Sequence, residues 1–265
     1  MALFANLCGL VLTVYLCYET TVSRGKYQQL KLAIARGETG ARARFYRDIL
    51  VFECVSAALA FAALGFDPSR FDPSRLELGE SAFGSWFSSE WDKLNTDALI
   101  GFLGGAIGGS AVLLILLWQR ARRRASSAQP TTPSRWSRIL PDFGALLPTT
   151  MRERMIFVLV ALSAGLCEEV VFRAWLLDVL HQIGLRGLVL VGAASAVFGL
   201  AHFYQGIFGI VVTGLLAVIF CGLYFASGTL WVPIVIHAIV DLRAAVMPSP
   251  YAGNRSTASD GAASR

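Results

Sequence analysis

The chain alternates long apolar runs with short polar segments, and this pattern predicts an all-α bundle of membrane-spanning helices. A helix needs about 20 mostly apolar residues to cross the hydrocarbon core of a bilayer. Runs of roughly that length recur at residues 2–22, 48–66, 97–118, 153–180, 187–204, 206–226 and 229–247. The pattern therefore predicts a polytopic transmembrane protein with about seven spans.

Composition supports a membrane protein and weakens other classes. Of the 265 residues, 55% are hydrophobic and 15% are charged, whereas a soluble domain carries about 25% charged residues. The net charge of +5 comes mainly from arginine clusters in the polar segments, which we interpret as topology signals, so no nucleic-acid partner is expected. The five cysteines all fall in apolar runs, and their spacing indicates neither a disulfide framework nor a zinc framework.

The charges between the runs predict how the chain is threaded and divided. Basic residues favour the cytoplasmic side, and they are concentrated in the predicted loop 23–47 and in the linker 119–150. We therefore expect an N-terminus outside and a C-terminus in the cytoplasm, in the plasma (inner) membrane. The predicted regions are an N-terminal three-span membrane region, a basic cytoplasmic linker, a four-span core and a disordered tail, at 1–118, 119–150, 151–247 and 248–265.

One short repeat stands out in the loop that is predicted to lie outside. Phe66-Asp67-Pro68-Ser69-Arg70 is followed at once by Phe71-Asp72-Pro73-Ser74-Arg75. Asp, Pro and Ser are typical turn residues, so the sequence predicts two successive turns there. No chemistry is assigned to this repeat.

Two adjacent carboxylates and an arginine lie inside the fourth predicted span. Each charged side chain near mid-membrane costs roughly 2.5–3.5 kcal/mol on insertion scales, so such residues are usually functional or paired. Glu169 and Arg173 are four residues apart and meet on one helix face. Glu168 is rotated about 100° away. The spacing predicts that Glu169 is paired with Arg173 and that Glu168 is free.

Further polar residues lie in the last predicted spans. His202 follows Phe198 by four residues, and Asp241 follows His237 by four, so each pair shares a helix face and Asp241 can reach or orient His237. Pro233 is expected to kink the seventh span near His237. His181 is read as a boundary residue. Because these helices are consecutive and joined by short turns, we expect one shared polar cavity.

Several chemistries fit this set of side chains. In the first, Glu168 takes a proton from water, a histidine shares the work, and donors on another helix stabilise the oxyanion. In the second, Glu168, His202 and His237 bind zinc with water as the fourth ligand. A proton or ion relay and a thiol protease that uses Cys167 are weaker alternatives.

The motifs in residues 155–245 together resemble the CPBP (Abi) family, which comprises the CAAX-prenyl endopeptidases and their bacterial relatives. They occur in order as E-E-x-x-x-R, F-x-x-x-H and H-x-x-x-D, at Glu168, Glu169, Arg173, Phe198, His202, His237 and Asp241. The resemblance implies an intramembrane protease of glutamate type with a helical core around a cavity open to the cytosol. The family core often has eight spans, so the expected number is seven to eight.

The resemblance also implies roles for individual residues. Glu168 is similar to the water-activating glutamate and His202 to its partner, while Glu169 and Arg173 are similar to a supporting ion pair. His237 and the position of Asp241 are similar to the group that stabilises the oxyanion, and Phe198 to a residue of the pocket wall.

Two positions depart from the family pattern. Many relatives have Asn at the position of Asp241, and an ionised Asp cannot donate a hydrogen bond to an oxyanion. Many also have Gly at the position of Ala174. The expected role of Asp241 is therefore either that of a protonated donor or that of a residue that only orients His237.

The resulting hypothesis is an intramembrane endopeptidase that hydrolyses a membrane-associated protein or peptide substrate with water activated by Glu168 and His202. No cofactor is expected, with a zinc-dependent variant as an alternative. A second alternative is a non-enzymatic immunity or scaffold protein on the same fold. The lipid bilayer is the expected surrounding, and the site residues are expected to be catalytic at Glu168, His202, His237 and Asp241, with support from Glu169, Arg173 and Phe198.

Overall fold

Apolar runs of this length fold as helices because a helix satisfies its backbone hydrogen bonds within one segment. The computed structural model of the protein describes residues 2–76, 144–247 and 249, and these residues form helices and turns with no strand. The α-helices are α1 (Ala2–Ala35), α2 (Ala41–Ala63), α3 (Met151–Glu169), α4 (Leu177–Gln182), α5 (Gly187–Ala201), α6 (Gly206–Ser227) and α7 (Trp231–Val246). A π-helix, Val170–Leu176, joins α3 to α4, and short 3-10 turns cover Pro68–Phe71, Pro73–Leu76 and Phe203–Gln205.

Part of the predicted set of spans can be compared with these helices. Within the described ranges, the segments long and apolar enough to cross a membrane are Ala2–Ala35, Met151–Gln182 and Phe203–Ser227, and Gly187–Ala201 is a shorter apolar helix. The predicted span 97–118, residues 119–143 of the linker and the tail except Ser249 lie outside the described residues. The all-helical membrane fold is confirmed, and the number of spans stays a prediction.

The predicted loop 23–47 is wrong in most of its length. Helix α1 continues to Ala35 and α2 begins at Ala41, so the connection is only residues 36–40. Polar residues in the second half of α1 remain helical because they are good helix formers and have partners, such as Lys26, whose Nζ lies 2.6 Å from Glu19 Oε1. Arg42, expected in the loop, is buried and donates from Nε to the Ala145 carbonyl at 2.9 Å.

Glycines set the closest helix contacts near the predicted site. A Cβ on Gly165 of α3 would lie 2.9 Å from the Ala238 backbone nitrogen and 2.9 Å from the Ile234 carbonyl oxygen of α7. A Cβ on Gly199 of α5 would lie 2.6 Å from the Ile210 carbonyl oxygen of α6. Small residues allow helix backbones to approach closely in membranes, so these two positions hold α3 against α7 and α5 against α6.

The predicted kink at Pro233 is not present as expected, because α7 does not extend far enough before it. The helix begins at Trp231, which puts Pro233 in the first turn. Backbone N–H groups in the first turn have no partner within the helix, so a proline there removes no helix hydrogen bond. His237 therefore lies in a regular helical segment.

The tandem Phe-Asp-Pro-Ser-Arg repeat forms the two predicted turns and has a structural use. In each copy the aspartate side chain accepts a hydrogen bond from the backbone of the serine two residues later, Asp67 from Ser69 and Asp72 from Ser74. Hydrogen bonds from the hydroxyl and from the backbone of the same serine lower the pKa of both exposed aspartates. The arginines of the two copies, described next, reach the same acceptor.

Arg70 and Arg75 both pair with Asp178 of α4. Arg70 Nη1 lies 3.1 Å from Asp178 Oδ2, and Arg75 Nη1 bonds to Asp178 Oδ1. Gln182 donates to the same carboxylate at 2.8 Å. The repeat therefore anchors the C-terminal end of the long segment that begins at Met151.

Replacing Asp178 by Ala is expected to lower the free energy of unfolding by about 1–3 kcal/mol, because two partly buried arginines lose a charged acceptor. Thermal unfolding in detergent measures the change. Glu38→Gln is the control, since Glu38 pairs with Arg44 at an exposed site, where an ion pair contributes about 0–1 kcal/mol. Equal unfolding temperatures for the two variants would contradict the anchoring role.

Candidate active site

The two motif glutamates lie at the point where α3 changes into the π-helix. Glu168 and Glu169 are the last residues of α3, and Val170 begins the π-helix, in which hydrogen bonds span five residues. Single-turn π segments inside α-helices are frequent at functional sites. The start of α3 is fixed by a capping box, in which the Thr150 hydroxyl accepts from the Glu153 backbone.

Glu169 is the centre of a buried charge network. Its Oε1 accepts from Arg173 Nη1 at 3.0 Å, as the four-residue spacing predicted. The same oxygen accepts from His237 Nδ1 at 2.7 Å, which joins α3 to α7. Glu169 is 0% exposed and Arg173 is 1% exposed. A buried carboxylate with two such donors is strongly restrained, because each bond is charge-assisted.

Arg173 is also held by aromatic rings. Its guanidinium carbon lies 4.8 Å from the centre of the Phe198 ring and 5.3 Å from that of Phe220. Cations within about 6 Å of an aromatic ring centre are attracted to its face. Phe198, predicted as a pocket-wall residue, thus also supports the ion pair.

His237 presents its second nitrogen to two further carboxylates. Because Nδ1 donates to Glu169, the ring is fixed with Nε2 facing Glu168 Oε2 at 3.9 Å and Asp241 Oδ2 at 3.6 Å. Its ring also stacks on Phe220, with ring centres 4.9 Å apart. The residue that orients His237 through a close hydrogen bond is therefore Glu169, while Asp241 lies near the opposite nitrogen.

Glu168 is less restrained than Glu169. Its side chain is 21% exposed. Its Oε2 is buried and has no hydrogen-bond partner among the described residues. The predicted division between a paired Glu169 and an unpaired Glu168 therefore matches the contacts.

His202 lies just beyond the last turn of α5 and not within the helix. Its Nδ1 is 2.9 Å from the Phe198 carbonyl oxygen. A carbonyl oxygen only accepts, so this bond requires a proton on Nδ1 and leaves Nε2 as the nitrogen with a lone pair in the neutral ring. The ring also packs on Phe198, with centres 4.7 Å apart.

A cavity of about 460 Å³ brings these residues together. Glu168, His202, His237, Asp241 and Phe198 all line it. Its other walls come from α1, α2 and α6 and from residues 146–147. Binding cavities for small ligands have about 300–1,000 Å³, so this one has room for a short peptide segment.

The sequence interpretation missed the buried carboxylate that α2 contributes to this cavity. Glu53 of α2 is 4% exposed and lines the same space as Glu168. The signal was available, since Glu53 is an ionisable residue inside an apolar run, as Glu168 is. It was overlooked because no neighbouring charge or motif accompanies it.

The predicted zinc ligands do not form a metal site as they stand. Within residues 2–76, 144–247 and 249, no three His, Cys, Asp or Glu side chains are grouped closely enough to hold a metal ion. The Nδ1 contacts of His202 and His237 do leave Nε2 available on both rings, as in many zinc histidines. Glu168, His202 and His237 would have to approach one another for zinc to bind.

Comparison with known proteins supports the motif-based interpretation. Residues 151–243 match a family model described as Type II CAAX prenyl endopeptidase Rce1-like. This segment is similar to that family. The Rce1-like segment contains every motif residue from Glu168 to Asp241, and its family points to a peptidase of the CAAX type in a membrane. No curated protein and no solved structure matches the chain.

Proposed function

We propose that this protein is a glutamate-type intramembrane endopeptidase that hydrolyses a peptide bond of a membrane-associated substrate. The observation that carries the proposal is the position of Glu168. Its buried, unpartnered oxygen lies 3.9 Å from His237 Nε2 in a cavity that His202 shares. A carboxylate free to accept a proton, next to imidazole groups and sheltered from bulk water, is what water activation requires.

In this mechanism each group has one task. Glu168 accepts a proton from the attacking water, and the lone pair of His202 Nε2 accepts a hydrogen bond that orients the same water. His237, protonated at both nitrogens between its carboxylates, donates from Nε2 to the oxyanion. A donor aimed at a developing oxyanion is worth about 2.7–4 kcal/mol in a typical hydrolase.

Glu169 and Arg173 act on the reaction through His237. Glu169 accepts the hydrogen bond from His237 Nδ1 and so fixes the direction in which Nε2 points. Arg173 compensates the Glu169 charge at 3.0 Å. Asp241, 3.6 Å from Nε2, stabilises the positive charge of the ring and has no donor role in this scheme.

The family description suggests a substrate class. Type II CAAX prenyl endopeptidases, by their name, cleave at prenylated C-terminal cysteine motifs. A largely apolar cavity between membrane helices suits a lipid-modified peptide that enters from the bilayer or from the cytoplasmic side. We propose the plasma membrane and a cytoplasmic C-terminus on the charge pattern of the loops.

The direct test uses purified protein in liposomes with a peptide that carries a prenylated cysteine three residues before its C-terminus. Mass spectrometry detects the released C-terminal peptide, and reaction in ¹⁸O-labelled water should place one label in the new carboxyl group. An unprenylated peptide with a transmembrane anchor tests whether the lipid is required. If neither peptide is cut and no membrane protein in the host is shortened by the active protein, the peptidase proposal is wrong.

Chelation tests the role of metal separately. If the Glu168 carboxylate activates water without a metal ion, treatment with EDTA or 1,10-phenanthroline should leave the cleavage rate unchanged. A zinc-dependent reaction would lose activity and regain it when zinc is added. Cleavage of the same prenylated peptide measures both outcomes.

A further inference from the structure

We propose that Glu53, on α2 outside the Rce1-like segment, is a second proton-handling carboxyl of the site that supplies the proton to the leaving amine. This inference rests on the proposed peptidase function. It adds a general acid from the N-terminal region, to which neither the sequence motifs nor the family match assigns a role.

Glu53 is buried, and one of its carboxyl oxygens lacks a hydrogen-bond partner within the described part of the chain. It is 4% exposed, and its Oε2 has no hydrogen-bond partner among the described residues. Burying an unpaired, ionised carboxylate costs a large amount of free energy. Packing alone therefore does not account for a glutamate at this position.

The carboxyl of Glu53 belongs to the proposed reaction cavity. Glu53 lines the same cavity as Glu168 and His237. It is therefore accessible from the space where a substrate would bind. Ser56, one turn further along the buried side of α2, does not line the cavity although it is also buried.

Several other ionisable side chains line the cavity together with Glu53. They are Glu19 and Lys26 of α1, Tyr46 and Asp48 of α2, Glu168 of α3, His202 and Tyr204 after α5, and His237, Asp241 and Arg243 of α7. The cavity thus holds several carboxyls and two imidazoles. Carboxyls that share a site cannot all be ionised, and two of them in different protonation states form a general acid and a general base.

In the proposed reaction, Glu168 is the general base and Glu53 is the general acid. Water attacks the carbonyl carbon, its proton passes to Glu168, and the π electron pair moves to the carbonyl oxygen. The C=O bond then re-forms, the C–N bond breaks with its electron pair on nitrogen, and nitrogen takes the proton of Glu53. Finally Glu168 returns its proton to Glu53 through the cavity, which restores both groups.

The test compares Glu53→Gln with wild type in liposomes, using the prenylated peptide. Glutamine keeps the size of the side chain but has no acidic proton. We expect kcat to fall by at least about 100-fold with KM little changed. The wild-type rate should decline at high pH, where Glu53 loses its proton, and this decline should be absent from Glu53→Gln. Glu53→Asp should restore part of kcat, because it keeps a carboxyl with a shorter reach.

Ser56→Ala is the matched control, since it removes a buried polar group from the same helix without touching the cavity. Its kcat and pH profile should equal those of wild type.

An unchanged kcat and pH profile in Glu53→Gln would overturn the proposal. If Glu53→Gln loses activity while Glu168→Gln keeps it, the peptidase mechanism fails. If Glu168→Gln is inactive and Glu53→Gln is fully active, only the role of Glu53 fails.

Infrared spectroscopy provides a test that needs no turnover. A protonated carboxyl has a C=O stretching band distinct from that of a carboxylate. We expect such a band at neutral pH and its loss in Glu53→Gln. Absence of the band from wild type would overturn the proposal.

Discussion

Glu168→Gln is expected to reduce the cleavage rate by about 10²–10⁴-fold while the protein remains folded. The amide has the shape of the carboxylate but cannot accept the proton of the attacking water, and general acid–base catalysis typically contributes a factor of this size. His202→Ala should have a similar effect, because the Nε2 lone pair that orients the water is removed. The rate is measured with the prenylated peptide in liposomes.

The third histidine supplies the control. His181 lies on α4, outside the cavity lining, and His181→Ala should cleave at the wild-type rate. Full activity of Glu168→Gln would refute the hydrolytic mechanism. If Glu168→Gln also preserved the cellular phenotype of the protein, a non-enzymatic immunity or scaffold role would account for it better.

Arg173→Met is expected to have the largest effect on stability, about 3–5 kcal/mol in the free energy of unfolding, because it leaves the buried Glu169 charge without its guanidinium partner. It also removes the cation that lies between Phe198 and Phe220. Arg173→Lys should be intermediate, since lysine keeps the charge but cannot stack as a planar group. Chemical unfolding in mixed micelles measures these differences.

A double variant separates charge compensation from catalysis. Glu169→Leu/Arg173→Met has no buried unpaired charge, so it should be more stable than Arg173→Met alone. It should nevertheless be inactive, because His237 Nδ1 has lost the acceptor that orients its ring. Arg186→Ala is the control at an exposed arginine, with an expected change within about 0.5 kcal/mol. Wild-type stability of Arg173→Met would show that the ion pair is not required for folding.

Much of the site followed from the sequence because intramembrane charges are expensive. That cost identified Glu168, Glu169, Arg173, His202 and His237 before their contacts were known. The four-residue spacing gave the Glu169–Arg173 pair, which has an N–O distance of 3.0 Å. Local periodicity is enough for such pairs because both partners are on one helix.

Contacts between helices were harder to predict. Periodicity along α7 suggested that Asp241 orients His237, whereas the close bond at 2.7 Å comes from Glu169 on α3. Gly165 allows this contact by letting the two backbones approach. Glu53 had a signal in the sequence but no motif around it, so its position in the cavity that Glu168 lines required the packing of α2.

Length, apolar periodicity and the spacing of charges determined by themselves a helical membrane protein, the ion pair within one helix and the set of polar residues around a cavity. The tertiary structure decided that Glu169 holds His237, that α2 adds Glu53 to the cavity, and that the tandem repeat anchors α4 through Asp178. The physical reason is that sequence spacing fixes which side of a helix a residue occupies. Which helix then faces that side depends on the close packing of backbones at residues such as Gly165 and Gly199.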